Sequence, residues 1–176
     1  TQLIRGEKLL RGFEDDLSKF LQEKMTNKGI DLQFSSSPHS IEGVSDSLMV
    51  MTNDSKQIKT EAILFAIGRT PRLRNIKFES AGILVEHNRI ITDKYQRTNV
   101  QNIYAVGDVT NHLNLTPVAV EEGRAFADSV YGGQSRIVNY DFVPKAVFSQ
   151  PEIATVGLSE ENAIKLFGAN QIKTFN

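Results

Sequence analysis

The segment Asn102-Ile-Tyr-Ala-Val-Gly-Asp-Val-Thr110, followed closely by Leu115-Thr-Pro-Val-Ala119, holds the most chemically pointed arrangement in the chain. It reads as a buried strand ending in Gly107-Asp108, a short loop, and a helix opened by Thr116 as cap and Pro117 at the first helical position. That arrangement sets a carboxylate at a strand tip and turns a helix N-terminus toward the same crevice. Such a carboxylate accepts hydrogen bonds from ligand hydroxyls, and the preceding glycine lets a ligand or another backbone come close. The helix end favours negative charge by roughly 0.3–1 kcal/mol when exposed and up to ~2 kcal/mol when partly buried. The same residues have a plainer use. Gly-Asp is common in turns where the aspartate bonds its own backbone, and Thr-Pro is an ordinary way to start a helix.

Three arginines offer a second kind of chemistry. Arg5 and Arg11 stand six residues apart, just after a short strand signal at Thr1 to Ile4. At the end of the second strand of a nucleotide-binding fold, a carboxylate suits a free ribose 2′-hydroxyl, whereas arginines suit a 2′-phosphate. Guanidinium groups hold phosphate through paired charge-assisted bonds. Two solvated surface arginines are the alternative. Arg124, in Glu122-Gly-Arg-Ala125, is either a solvated helix residue or a clamp for a substrate carboxylate. His39, His87 and His112 lack partners at metal-ligand spacing and read as ordinary surface residues, so no metal site is expected. No Gly-x-Ser-x-Gly, phosphate-binding glycine loop or Gly-x-Gly-x-x-Gly is present.

The elements that must position these groups are legible in outline. At 40% apolar residues the 176-residue chain can build a core, in one domain or parts of two. A formal net charge of −1 without runs of like charge gives no electrostatic case for nucleic acid or an anionic membrane. No apolar run is long enough to span a bilayer. The absence of cysteine excludes disulfides, thiolate metal sites and dithiol chemistry within the chain.

Phe13, Leu17, Phe20, Leu21 and Met25 fall at helical spacing, stopped by Lys28-Gly29. Strands are expected at Ile30 to Ser35, Ser40 to Val44 and Leu48 to Thr52. The run Glu61-Ala-Ile-Leu-Phe-Ala-Ile-Gly68 reads as a strand buried on both faces, broken by Arg69-Thr-Pro71, where a domain boundary is placed. Short strands are expected around Arg89 to Thr92 and Ile103 to Val106, and a helix from Pro117 to about Tyr131. A second boundary falls near Tyr140. Beyond it come strands at Lys145 to Phe148 and Ile153 to Gly157, then a helix capped by Ser159 and closed after Phe167 by Gly168. Gln171 to Asn176 reads as a further strand. The chain is expected to begin and end within domains, as a piece of a longer protein. The mixture argues an α/β fold with an added antiparallel part.

These residues carry a resemblance over essentially the whole chain. Ile4-Arg…Leu-Arg-Gly-Phe13, Ala66-Ile-Gly-Arg-Thr-Pro71, Thr98-Asn-Val…Ile-Tyr-Ala-Val-Gly-Asp-Val109, Leu115-Thr-Pro-Val-Ala119 and Val147-Phe-Ser-Gln-Pro…Thr-Val-Gly-Leu158 are specific in combination. Together they resemble the FAD-dependent class I pyridine nucleotide–disulfide oxidoreductases, and within them the branch that reduces glutathione disulfide.

The resemblance implies three-layer FAD/NAD(P)-binding Rossmann-like domains plus the start of an α+β interface domain. Residues 1–71 would be the later part of the NADPH domain, 72–140 the central part of the FAD domain, and 141–176 the opening of the dimerisation domain. Arg5 and Arg11 would hold the NADPH 2′-phosphate, and Gly68 would lie close to NADPH. Asp108 would bond the FAD ribityl chain. Thr116 would stand at the flavin pyrimidine edge, where reduced flavin gathers negative charge. Asn114 and Ala146 would lie near the nicotinamide, and Arg124 would contact a glutathione carboxylate. Trypanothione-reducing relatives usually place a small neutral residue at that last position, so Arg124 favours glutathione. Arg5 and Arg11 likewise speak against the NAD-using dihydrolipoamide branch.

The family's FAD fingerprint, redox cysteine pair, NADPH glycine turn and C-terminal His-Glu pair have no counterpart in the sequence. The parent enzyme is expected to be an NADPH-dependent, cytoplasmic homodimer serving cell redox homeostasis. This chain alone, lacking the thiolates that the later steps need, is expected to be inactive, and no catalytic residue is assigned to it. A trypanothione-, mercuric- or dihydrolipoamide-type sister flavoenzyme, or a non-catalytic folding or interaction fragment, are the alternatives.

Overall fold

The computed structural model describes residues 1–175 and divides into two compact units, 1–65 together with 144–176, and 66–143.

In the first unit, β1 (Gln2–Ile4) and β2 (Leu32–Phe34) pair in parallel, and α1 (Asp15–Asn27) connects them. Parallel neighbours need such a crossover. Asp15 and Asp16 at the start of α1 and Lys24 near its end match the helix dipole. The apolar face of α1 is buried through Leu21, which clusters with Leu9 and Ile153 and is flanked by Ile4, Phe13, Leu17, Met25 and Phe34. An antiparallel sheet follows, in the order β3 (Pro38–Val44), β4 (Ser47–Thr52), β5 (Gln57–Thr60). After residue 144 the chain adds the antiparallel pair β8 (Lys145–Val147) and β9 (Ile153–Thr155), then α3 (Glu160–Phe167). The Ser159 hydroxyl caps α3 by accepting from the Asn162 N–H at 3.2 Å, as its sequence predicts.

The second unit holds a small hairpin, β6 (Val85–Glu86) with β7 (Arg89–Ile90), and one bridge between Arg97 and Tyr104. A 3-10 turn at Gly107–Val109 and the long helix α2 (Thr116–Val130) complete it.

Four expectations are corrected. Glu61 to Gly68 forms no strand, and Leu64 and Ile67 are 90% and 86% exposed. A strand buried on both faces needs neighbours along both edges and cover above and below, and the described residues supply none. Ile103 to Val106 is extended but joins the structure through the single bridge at Tyr104 rather than as a ladder. Thr116 does not cap α2. The Leu115 carbonyl accepts the first helical bond, from Ala119, which makes Leu115 the cap residue and leaves the helix without a side-chain cap. Gln171 closes a 3-10 turn that starts at Ala169, and no strand forms over 172–175. Asn176, the last residue of that expected strand, lies outside the described residues. A strand the sequence reading missed, β5, is short and carries one apolar residue, Ile58. Its partners on β4 define it, not its own pattern.

Candidate functional site

Helix α2 organises the second unit. Val118, Glu122 and Ala125 are its buried residues, at 3%, 1% and 0% exposure. Their spacing of four and three puts them on one stripe. A carboxylate in the middle of a buried stripe must be hydrogen-bonded to be tolerated. Glu122 is: its Oε2 accepts the Gly107 backbone N–H, and its Oε1 accepts the Tyr140 hydroxyl at 2.8 Å. His112 Nδ1 lies 3.4 Å from the same Oε1 and 3.2 Å from the Thr110 hydroxyl, which donates to the Gly107 carbonyl at 2.8 Å. The His112 and Tyr140 rings pack at 5.3 Å between centroids. Burial and the neighbouring Glu122 carboxylate push the Tyr140 phenol up to about 12, against an opposing hydrogen bond from Gln96.

This cluster fastens the Gly107–Val109 turn to the first turns of α2. Gly107 has φ +75°, and a Cβ there would stand 3.2 Å from the Ala119 Cβ. The left-handed conformation calls for glycine, and the space beside Ala119 is tight for any larger residue. Tyr104, three residues earlier, packs edge-on against Phe126 of the same helix at 4.9 Å. Asp108 follows Gly107, is exposed, and its carboxylate has no side-chain or backbone partner among the described residues. The helix beside it starts with no side-chain cap and no acidic residue in its first turn. Its leading N–H groups therefore keep their appetite for an acceptor. A free carboxylate and an uncapped helix start, held by one helix, form a donor and acceptor set that fits a polyhydroxylated, negatively charged ligand.

The other predicted residues fall as follows. Arg5 and Arg11 are exposed in the loop between β1 and α1, and neither forms an ion pair among the described residues. That loop is pinned at its middle, where Leu9 is buried and the Ser18 hydroxyl donates to the Leu9 carbonyl at 2.9 Å. Gly68 has φ +117° in exposed backbone with no neighbour within 4 Å of a built Cβ. Asn114 is exposed and its Nδ2 donates to the Asn111 side chain at 2.9 Å. Thr116 is the exposed first residue of α2. Arg124 is exposed on α2, with Glu121 at 4.0 Å. Ala146 lies in β8 opposite Ala154. Asp108 and Thr116 thus share one unit and one supporting helix.

Sequence reasoning missed the supporting cluster. It read His112 as an ordinary surface residue and passed over Glu122, Thr110 and Tyr140. The available signal was Glu122 itself, a charged residue spaced four after Val118 and three before Ala125. A cleft of ≈ 550 Å³ beside the Val44–Ser47 turn, lined also by Lys59 and Glu61, contains none of the predicted residues. Among the described residues no helix is long and apolar enough to cross a membrane, and no group of His, Asp and Glu is placed to hold a metal.

Comparison with known proteins agrees with this architecture. The family model described as "Pyridine nucleotide-disulphide oxidoreductase" matches residues 1–123. A glutathione reductase of Burkholderia cepacia is 43% identical over 93% of this chain and 36% of its own length. One from Nostoc is 39% identical over 99% of this chain and 41% of its own. A trypanothione reductase of Trypanosoma congolense is 38% identical over 95% and 34%. The chain therefore spans about a third to two-fifths of the length of these relatives. Among solved structures, the HOCl-induced flavoprotein disulfide reductase RclA from Escherichia coli superposes with a TM-score of 0.87, at 27% identity, over 93% of this chain and 38% of that one. LpdA from Mycobacterium tuberculosis does so with 0.86 and 26%, over 94% and 36%. The expected α/β, partly Rossmann-like fold class stands, and the chain belongs to the pyridine nucleotide-disulphide oxidoreductase family.

Proposed function

We propose that the chain is part of an NADPH-dependent flavoprotein disulfide reductase whose substrate is glutathione disulfide. FAD is its flavin, and the redox dithiol comes from outside this chain. The enzyme works as a cytoplasmic homodimer. One observation carries the reading: a single helix, α2, bears two groups of the right chemistry on one rigid body. Its uncapped start stands beside the Gly107-Asp108 turn, and Arg124 projects from it eight residues on, about 12 Å along the axis.

In this reading each residue has a separate task. Asp108 accepts from the hydroxyls of the FAD ribityl chain. The N–H groups at Thr116 and the dipole behind them favour negative charge at the pyrimidine edge, which biases the redox equilibrium without moving a proton. Arg5 and Arg11 grip the 2′-phosphate that separates NADPH from NADH. The backbone at Gly68, Asn114 and Ala146 borders the nicotinamide side. Arg124 meets a carboxylate of glutathione disulfide. The chemistry FAD supplies when bound is two-electron transfer between a nicotinamide and a disulfide, and the protein's share is position and electrostatics. Residues 1–71, 72–140 and 141–176 supply, in turn, portions of the NADPH, FAD and interface domains.

The test is steady-state kinetics on the enzyme that carries this chain. Arg124→Ala should raise the Michaelis constant for glutathione disulfide by roughly tenfold, the worth of one charge-assisted hydrogen bond, with kcat little changed. An unchanged Michaelis constant would remove the main reason for choosing glutathione over its sister substrates. It would return the choice to a sister such as a trypanothione-type reductase.

A further inference from the structure

We infer that Glu122 is a positioning residue for the flavin site: its buried carboxylate fixes Gly107 and thereby sets where the Asp108 carboxylate stands. The inference rests on the reading of Asp108 as a ribityl ligand.

A carboxylate exposed by only 1% is costly unless donors surround it, and an apolar side chain of similar size would fill the same stripe without that cost. What an apolar side chain could not do is hold a backbone N–H. Glu122 Oε2 holds that of Gly107, while Oε1 is occupied by the Tyr140 hydroxyl and faces His112. Gly107 thus lies against one helix at two points: Ala119 occupies the space a Cβ would need, and Glu122, one turn later, binds its N–H. Asp108 is the next residue, and the only side chain in the Gly107–Val109 turn that could meet a hydroxylated ligand as a carboxylate. Among the described residues its own carboxylate has no partner that would orient it. Its placement relative to the start of α2 is therefore inherited from Gly107, and that of Gly107 from Glu122. The Thr110 hydroxyl, beside His112, donates to the Gly107 carbonyl and supports the same turn.

The experiment is a double-mutant cycle on FAD affinity in the enzyme that carries this chain, read by release of flavin fluorescence. Asp108→Asn and Glu122→Leu should each weaken FAD binding by about tenfold or more, and the double variant by no more than about twofold beyond Asp108→Asn alone. Glu122→Gln retains the shape and one acceptor. It should weaken FAD by about threefold and speed amide hydrogen exchange at Gly107, so it reads the same coupling even if Glu122→Leu does not fold. Multiplicative losses in the double variant would make Glu122 a general stability residue and overturn the inference. So would a Glu122→Gln enzyme with wild-type FAD affinity and wild-type exchange at Gly107. If Asp108→Asn itself leaves FAD binding intact, the ribityl reading fails and takes the inference with it. A silent Glu122 beside a damaging Asp108→Asn sinks the inference alone.

Discussion

The stretches 102–109 and 61–69 look alike in sequence. Each is an apolar run that ends in glycine and a charged residue, Gly107-Asp108 in one and Gly68-Arg69 in the other. In the first, Ala105 is buried, Tyr104 rests on Phe126, and Gly107 is held by Ala119 and Glu122. In the second, Leu64 and Ile67 stand almost wholly in solvent, and a Cβ added at Gly68 would meet nothing within 4 Å. The difference lies in where the partners are. The first stretch finds its partners close by in the chain, in the bridge to Arg97 and in α2, which begins seven residues after Val109. The second is patterned for the interior of a parallel sheet and cannot bury itself with local partners. Apolar composition states a demand for burial; only topology says whether it is met.

The sharpest way to test that contrast is to ask both glycines the same question. Gly107→Ala should destabilise the chain by about 2–5 kcal/mol. Left-handed backbone costs a non-glycine residue roughly 1–2 kcal/mol, and crowding against Ala119 about 1–3 more. Gly68→Ala has φ +117° to contend with but open space and loose surroundings, so its cost should stay near 1 kcal/mol. Urea unfolding of the 176-residue chain measures both. Equal losses would mean that the two turns are equally constrained.

That pairing also marks how far the sequence could be read. Elements whose signals are local were legible: α1 with its Lys28-Gly29 stop, the β3–β4 hairpin, α2 from its Thr116-Pro117 start, and α3 with Ser159. Elements fixed by distant partners were not. The strand expected over 61–68 lacked neighbours, and β5 was invisible because its pairing with β4, not its composition, creates it. At the candidate site the exposed groups could be picked out by type and order, Asp108, Arg124, Arg5 and Arg11 among them. The groups that hold the site were hidden, because Glu122, His112 and Tyr140 become a cluster only when α2 and two loops meet. Thr116 was placed correctly at the helix start but given a capping role that Leu115 takes through its carbonyl.

Tyr140 offers a second, smaller probe. Tyr140→Phe removes the donor to a buried carboxylate and should cost about 1.5–3 kcal/mol. The pH dependence has a fixed sign. The phenol ionises at about 12 in the folded chain, above the ordinary value of 10. The stability gained from its neutral form is therefore complete below pH 10 and is lost as pH rises toward 12. An ultraviolet titration should show a late ionisation that is absent from Tyr140→Phe and moved to lower pH in Glu122→Gln. A late step that survives Tyr140→Phe would assign it elsewhere and loosen the cluster around Glu122.

The smallest effect is expected where the apolar pattern is strongest. Leu64→Ser with Ile67→Ser strips two large side chains from a run that reads as a strand core. Yet both are exposed, so the double change should alter the stability of this chain by no more than about 0.5 kcal/mol. The same pair buried in a sheet would lose about 2–5 kcal/mol each, since truncating a core aliphatic forfeits transfer energy and leaves a cavity, and the introduced hydroxyls would need partners. The gap between those outcomes is wide enough for one denaturation curve to decide. A loss near zero places the unmet demand for burial in the run itself. A loss of several kcal/mol means that Leu64 and Ile67 find cover in solution, and the contrast with the Gly107 turn disappears.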